Sequence, residues 1–321
     1  MSEVNHQKIK TNGIWMHVAE QGTGPLVLLL HGFPEIWYSW RHQLNYLAQQ
    51  GYHAVAPDLR GYGDSDCPLN PESYTAFHLV GDLIGLLDHF GEHQAFVVGH
   101  DWGAMVGWYL SLFRPDRVKG FVALSVPYFP RSPIMKPVEA IIQKFGDRQI
   151  HVSQFQKPGR AERAFARYDC LTVMKKFLLT KAELLTAPEG MELVDFLPTP
   201  SVLPSWISEE ELQIFADKFQ ESGFTGPLNY YRALDLTWEL LAPWQDAKIT
   251  VPTKFITGDK DIGFVSGGTR EYAQGEMFKS LVPDLEVAII EGHHFINQEQ
   301  AQEVSAEILS FIRKQSLQSN A

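Results

Sequence analysis

Short apolar runs divide the first 127 residues into a regular alternation. "WMHVAE" (15–20) alternates apolar and polar positions, as a half-exposed strand does. "PLVLLLHG" (25–32) is continuously apolar, the mark of a strand covered on both faces. "HAVAPD" (53–58), "AFVVGH" (95–100) and "FVALSV" (121–126) read as further short buried strands. Helical spacing fills the gaps: Tyr38 to Gln50, Thr75 to Phe90 with Leu79, Leu83, Leu86, Leu87 and Phe90 on one face, and a helix opening just after Asp101. Strand and helix in alternation predict a mostly parallel sheet covered by helices, an α/β fold.

The rhythm breaks after residue 127. From about Tyr128 to Trp244 there are almost no strand-like runs, and helical stretches such as "EEELQIFADKF" behind the N-cap candidate Ser208 dominate. The β/α pattern resumes at "TKFITGD" (253–259) and "LEVAIIEG" (285–292), and an amphipathic helix is expected from about Gln298 to Lys314. The middle segment is too long to be a loop. The expected organisation is therefore one α/β core in two parts, 1–127 and 246–321, with a helical cap inserted at 128–245.

Composition narrows the function classes. The formal charge is 27 − 38 = −11, which argues against nucleic acid or an anionic membrane surface as partner. The amino-terminal stretch is polar and no apolar run reaches the length of a membrane span. Cys67 and Cys170 are expected to be free thiols in a reducing, cytoplasmic setting. No repeat or low-complexity tract is visible, and the sequence does not speak to oligomeric state.

The chemistry begins at "VVGHDWGA" (97–104). A buried strand ends at Val98, and Gly99 and Gly103 bracket His100, Asp101 and Trp102. That spacing builds a tight strand-to-helix turn which thrusts its central side chain out at the carboxyl end of the sheet. Helix capping alone would explain the aspartate but not the paired glycines. A carboxylate nucleophile suits displacement at a saturated carbon and leaves an alkyl-enzyme ester, so a water-activating base is also required. The fold's order of nucleophile, acid and histidine directs the search to late post-strand segments. "GDKDIGF" offers Asp259 and Asp261, and "EGHHFI" offers His293 and His294. No further ligand spacing supports a metal site, and neither metal nor cofactor is expected. The loop "HGFPEIW" (31–37) is placed to turn a backbone N–H toward Asp101, alongside that of Trp102.

Together "HGFPEIWYSWRHQL", "PDLRGYGDSD", "VGHDWGA", "LNYYRALDLTWEL", "GDKD" and "HF" resemble the soluble epoxide hydrolases of the α/β-hydrolase superfamily, most closely the plant branch, over nearly the whole chain. The resemblance implies Asp101 as nucleophile, His294 as the base, Asp261 as its orienting acid, and the backbone N–H groups of Phe33 and Trp102 as the oxyanion hole. It implies a cis bond before Pro34, and it makes Tyr231, on the cap, the donor to the epoxide oxygen. Substrates would be a small organic epoxide and water, in detoxification or specialised metabolism.

One departure stands out. The family's second cap tyrosine should precede "FQKPG", and counting back places His151 there, while counting forward from "FGD" gives Gln149 or Ile150. Either His151 replaces the phenol as a second donor, with a pH dependence set by an imidazole pKa near ~6.5, or Tyr231 acts alone and His151 only lines the pocket. Phe33, Trp37 and Trp102 are further candidates for the pocket wall. His31 and His100 are read as structural, and Asp58, Arg60, Asp64 and Asp66 as loop-shaping. The rivals are dehalogenases of the haloalkane or fluoroacetate type and a non-catalytic receptor on the same fold. The first usually carry Asn where Phe33 stands, the second Arg where Trp102 stands, and a pure binder needs no water-activating pair. An esterase is disfavoured by the absence of serine at position 101.

Overall fold

The computed structural model describes residues 3–145, 149–181, 184–266 and 268–318. Eight strands form one sheet: β1 (Asn5–Thr11), β2 (Ile14–Gln21), β3 (Leu26–Leu30), β4 (His53–Pro57), β5 (Ala95–His100), β6 (Val118–Leu124), β7 (Thr253–Gly258) and β8 (Leu285–Ile290). Their spatial order is β1-β2-β4-β3-β5-β6-β7-β8. Pairing is antiparallel for β1–β2 and β2–β4 and parallel for every other neighbouring pair. The all-apolar run of β3 is wholly buried at the sheet centre, and β8, on the edge, is only partly covered.

Helices α1 (Arg41–Gln49), α2 (Ala76–His89) and α3 (Trp102–Phe113) cross over between the parallel strands. Leu79, Leu83, Leu86 and Leu87 of α2 are buried, as their spacing predicts, and Phe90 caps the helix half-buried. The helix expected from Tyr38 opens instead as a 3₁₀ turn, Trp37–Trp40, before α1. The final helix is split into Ile296–Glu299 and Ala301–Gln318, because Gln300 between them leaves helical geometry (φ −118°, ψ 47°). The pattern also gave no sign of β1. "NHQKIKT" is a polar, lysine-bearing edge strand that pairs on one side only, so it needs little apolar surface.

Between β6 and β7 the described chain holds helices and connecting loops, and one two-residue pairing, Gln149–Ile150 with Thr186–Ala187, too short to leave a periodic signal. Ser208 caps the helix Glu209–Ser222 through a reciprocal capping box with Glu211. This layer is fastened to the sheet at defined points. Arg41 Nε donates to Glu211 at 2.7 Å and Lys218 Nζ to Asp64 at 2.9 Å. The buried Tyr230 hydroxyl donates to the Arg60 carbonyl at 2.9 Å, and Asn229 Nδ2 to that of Leu69 at 3.0 Å. The "PDLRGYGDSD" loop thus sets the height of the helix Thr225–Arg232 above the sheet edge. Among the described residues no helix is long and apolar enough to cross a membrane.

Candidate active site

Asp101 sits between β5 and α3 with φ 51° and ψ −118°, a conformation that a non-glycine residue adopts only when its surroundings enforce it. The enforcement is steric. A Cβ on Gly103 would lie 2.0 Å from the Leu30 carbonyl oxygen, and one on Gly32 would lie 2.4 Å from the Asp101 Cβ. The turn is therefore pressed against the end of β3, and its carboxylate projects at the carboxyl edge of the sheet.

The Phe33 backbone N–H donates to Asp101 Oδ1 at 2.8 Å. Trp102 is the first residue of α3, so its N–H has no acceptor within the helix. The Phe33–Pro34 bond is cis, as the motif implied. His294 Nε2 stands 3.6 Å from Asp101 Oδ2, and its Nδ1 donates to Asp261 Oδ2 at 2.8 Å. Asp261 is fully buried, and its other oxygen accepts the Gly263 N–H at 2.8 Å. Of the two acid and two histidine candidates, Asp261 and His294 meet Asp101. Asp259 instead accepts the Gly292 N–H, and His293 bonds Glu299.

The electrostatics follow from this geometry. Burial alone would raise the Asp101 carboxyl, but hydrogen bonding and charge from His294 outweigh it, and the net shift is downward. Asp261 behaves alike, with the His294 charge the main counterweight to burial. Burial would lower His294, yet the two carboxylates beside it hold it well above the ordinary imidazole value. At rest the trio is an imidazolium between two carboxylates.

A family model described as the alpha/beta hydrolase fold matches residues 25–301. "Epoxide hydrolase 1" of Siraitia grosvenorii is 54% identical over 317 residues, covering 98% of this chain and all of that one. "Epoxide hydrolase A" of Mycobacterium tuberculosis is 40% identical over 97% of this chain and 98% of its own length. A crystal structure of a Vigna radiata epoxide hydrolase mutant superposes with a TM-score of 0.95 at 49% identity, covering 98% and 100% of the two chains. A mutant of potato epoxide hydrolase does so at 0.93 and 47%, covering 97% and 100%. The chain belongs to the plant-type epoxide hydrolase family of the α/β-hydrolase fold.

The epoxide hydrolase fold here encloses a cavity of ≈ 390 Å³ over Asp101. Its walls are largely apolar, with Phe33, Trp102, Phe155 and Phe177 prominent, and Tyr231 and His151 reach it from the helical layer. Tyr231 is 6% exposed and meets Trp102 and Phe33 edge-on, with ring centroids 5.1 and 5.7 Å away. Burial, with the Asp101 charge second, pushes its hydroxyl well above the usual phenol value, so it keeps its proton. His151 stands 5.7 Å from the Tyr231 ring, also edge-on.

Two expectations need correction. Trp37 is not part of this cavity. Its backbone N–H donates to Asp58 Oδ1 at 2.9 Å, and its ring packs against His6, His17 and Tyr38 in a separate surface hollow. His151 does not titrate near the ordinary imidazole value, because burial pulls it down to about 4, so the ring is neutral at physiological pH.

The site also rests on groups that the motifs did not single out. Glu35 is fully buried and accepts the Gly32 N–H at 3.0 Å and Gln298 Nε2 at 3.0 Å. His100 Nε2 donates to the His294 carbonyl at 2.8 Å while its Nδ1 meets Glu35 Oε2 at 2.7 Å. Both ring nitrogens of His100 thus face oxygens. Burial would raise Glu35, but the charge and hydrogen bond of His100 outweigh it, and the net shift is downward. The signal in the sequence was one acid inside an apolar post-strand loop. His31 is structural, with Nδ1 donating to the Gly32 carbonyl at 2.9 Å and Nε2 accepting the Leu59 N–H at 3.0 Å. Cys67 and Cys170 are free.

Proposed function

We propose that this protein converts an organic epoxide and water into a vicinal diol through an ester on Asp101. The observation that carries the reading is the line from Asp261 through His294 to Asp101, 2.8 and 3.6 Å, beneath a largely apolar cavity whose roof bears the protonated Tyr231. Asp101 Oδ2 attacks one oxirane carbon. The C–O bond on that carbon breaks, and Tyr231 supports the departing oxygen by hydrogen bond and proton donation, without which an alkoxide is a poor leaving group. Ester formation removes the Asp101 charge, one of the two that hold the His294 proton. The His294 proton then goes to restore the Tyr231 phenol, and the neutral imidazole serves as base for a water that attacks the ester carbonyl. The N–H groups of Phe33 and Trp102 receive the tetrahedral oxyanion. Collapse breaks the acyl C–O bond, and the new carboxyl proton passes to the departing oxygen, which leaves the diol, the Asp101 carboxylate and the His294 imidazolium.

His151 stands where a second donor is expected, and being neutral it carries one proton on one of its two nitrogens. We read residues 128–245 as the lid that carries Tyr231 and His151, and the free thiols Cys67 and Cys170 support a reducing, cytoplasmic location. The relatives' names favour epoxides over the halide-releasing and receptor alternatives.

A single turnover in ¹⁸O-water tests the mechanism. The first diol should carry unlabelled oxygen from Asp101, and His294→Gln should accumulate a protein adduct of the epoxide's mass. Labelled oxygen in the first-turnover diol would establish direct attack by water and end the ester reading.

A further inference from the structure

The side of the cavity that differs from the family pattern also holds its most unusual polar atom. His151 Nδ1 is sealed from solvent and has no hydrogen-bond partner among the described residues, a costly state for a polar group. The ring lines the cavity all the same. With Nδ1 shut away, Nε2 is the nitrogen that a bound molecule can reach.

The tautomer follows from the surroundings of the sealed edge. The His151 main-chain N–H donates to the Leu185 carbonyl at 2.9 Å, and the same carbonyl also acts on the ring. Nδ1 is the ring nitrogen nearer the main chain, so it is the one that shares this carbonyl. A carbonyl oxygen is attracted by an N–H and repelled by a lone pair, even where the angle is too poor for a full hydrogen bond. The proton therefore belongs on Nδ1. Burial keeps a second proton off the ring near neutral pH. Nε2 is left with its lone pair.

We propose that His151 presents a hydrogen-bond acceptor to the cavity through Nε2, and so selects epoxides that carry a hydroxyl group within a few bonds of the oxirane. This rests on the epoxide reading above and refines its substrate class. A phenol at this position would be a donor, and with Tyr231 it would make two donors for one epoxide oxygen. Here the two groups divide the work. Tyr231 donates to the epoxide oxygen, and His151, whose ring lies 5.7 Å from that of Tyr231, accepts from a hydroxyl on the same molecule. In so apolar a cavity a substrate hydroxyl without an acceptor loses its water for nothing, which turns one acceptor into a selection rule.

A matched pair of substrates reads this directly: a 2,3-epoxy alcohol with an aryl substituent and its O-methyl ether, compared by kcat/KM. The wild-type protein should favour the alcohol about tenfold, the usual worth of one net hydrogen bond. His151→Phe should erase the preference, so that alcohol and ether react in that variant with the same kcat/KM. His151→Gln keeps an acceptor oxygen and should retain part of the preference, and it decides the matter should the phenylalanine variant fail to fold. Equal rates for both compounds in the wild type, or an equal slowing of both by His151→Phe, would overturn the acceptor role. Failure of the folded wild-type protein to open either compound would instead overturn the epoxide reading itself.

Discussion

The floor and the roof of the cavity are built on opposite terms. On the floor, polar side chains are tied down: Asp261 by Gly263 and His294, Glu35 by Gly32, Gln298 and His100, and Asp101 by Phe33. On the roof, Tyr231 and His151 stand among Phe33, Phe155 and Trp102, and His151 Nδ1 bonds to nothing described. A floor of that kind holds charges in place and fixes which atom attacks. A roof of this kind keeps its groups neutral, the phenol protonated and the imidazole unprotonated, and fixes which molecule fits. On the proposed mechanism, the difference assigns reaction type and substrate preference to separate layers of one chain.

The most damaging way to probe that division is on the floor. Asp101→Asn should lower turnover by about 10⁴-fold, as loss of a nucleophile does elsewhere, with the melting temperature preserved. Residual activity within tenfold of wild type would mean the floor is not where the bond is made. On the roof, Tyr231→Phe should reduce the rate of ester formation by about 10²- to 10³-fold, the range for loss of a general acid, while ester hydrolysis is spared. Stopped-flow tryptophan fluorescence, with Trp102 beside both groups, separates the two steps.

The pH response sharpens the contrast further. Asp101 is held below the usual carboxylate range, so ester formation should keep its rate as pH falls from about 8 to about 5. His294 must be unprotonated to activate water. Its raised value means that hydrolysis is favoured at high pH and fails as pH drops through the His294 value of the ester form. Acid-quenched samples should therefore contain more ester at low pH, and a constant ester fraction would count against this sequence of charges. The smallest effect concerns how the roof is hung. Arg232, next to Tyr231, grips Glu162 with two parallel bonds of 2.9 Å. Glu162→Gln should cost about 2 kcal/mol in urea denaturation, with a raised KM and little change in kcat.

The floor was legible in the sequence because each of its groups follows a strand. Apolar runs announce β5, β7 and β8, and Asp101, Asp261 and His294 each lie within the short turn that follows one of them. What local pattern missed depends on distant partners. Local pattern puts Trp37 on the wall, but its ring packs instead against His6 and His17 of β1 and β2. Glu35 was passed over because its partners, His100 and Gln298, lie 65 and 263 residues away. The ionisation of His151 is set by burial in a layer of short helices whose packing no periodicity reveals. Polar β1 escaped notice because an edge strand needs little apolar surface.

The crowding at Gly32 and Gly103 has a consequence for anyone who would change this protein. Any other residue at either position places an atom where the nucleophilic turn or the Leu30 carbonyl already lies. In a randomised library those two codons are dead weight, and almost every clone altered there is lost to screening. Diversity is better placed in the helical layer, where a side chain can be exchanged without moving the carboxylate. The same asymmetry would steer natural drift, with new substrate preferences arising from above while the turn itself stays fixed.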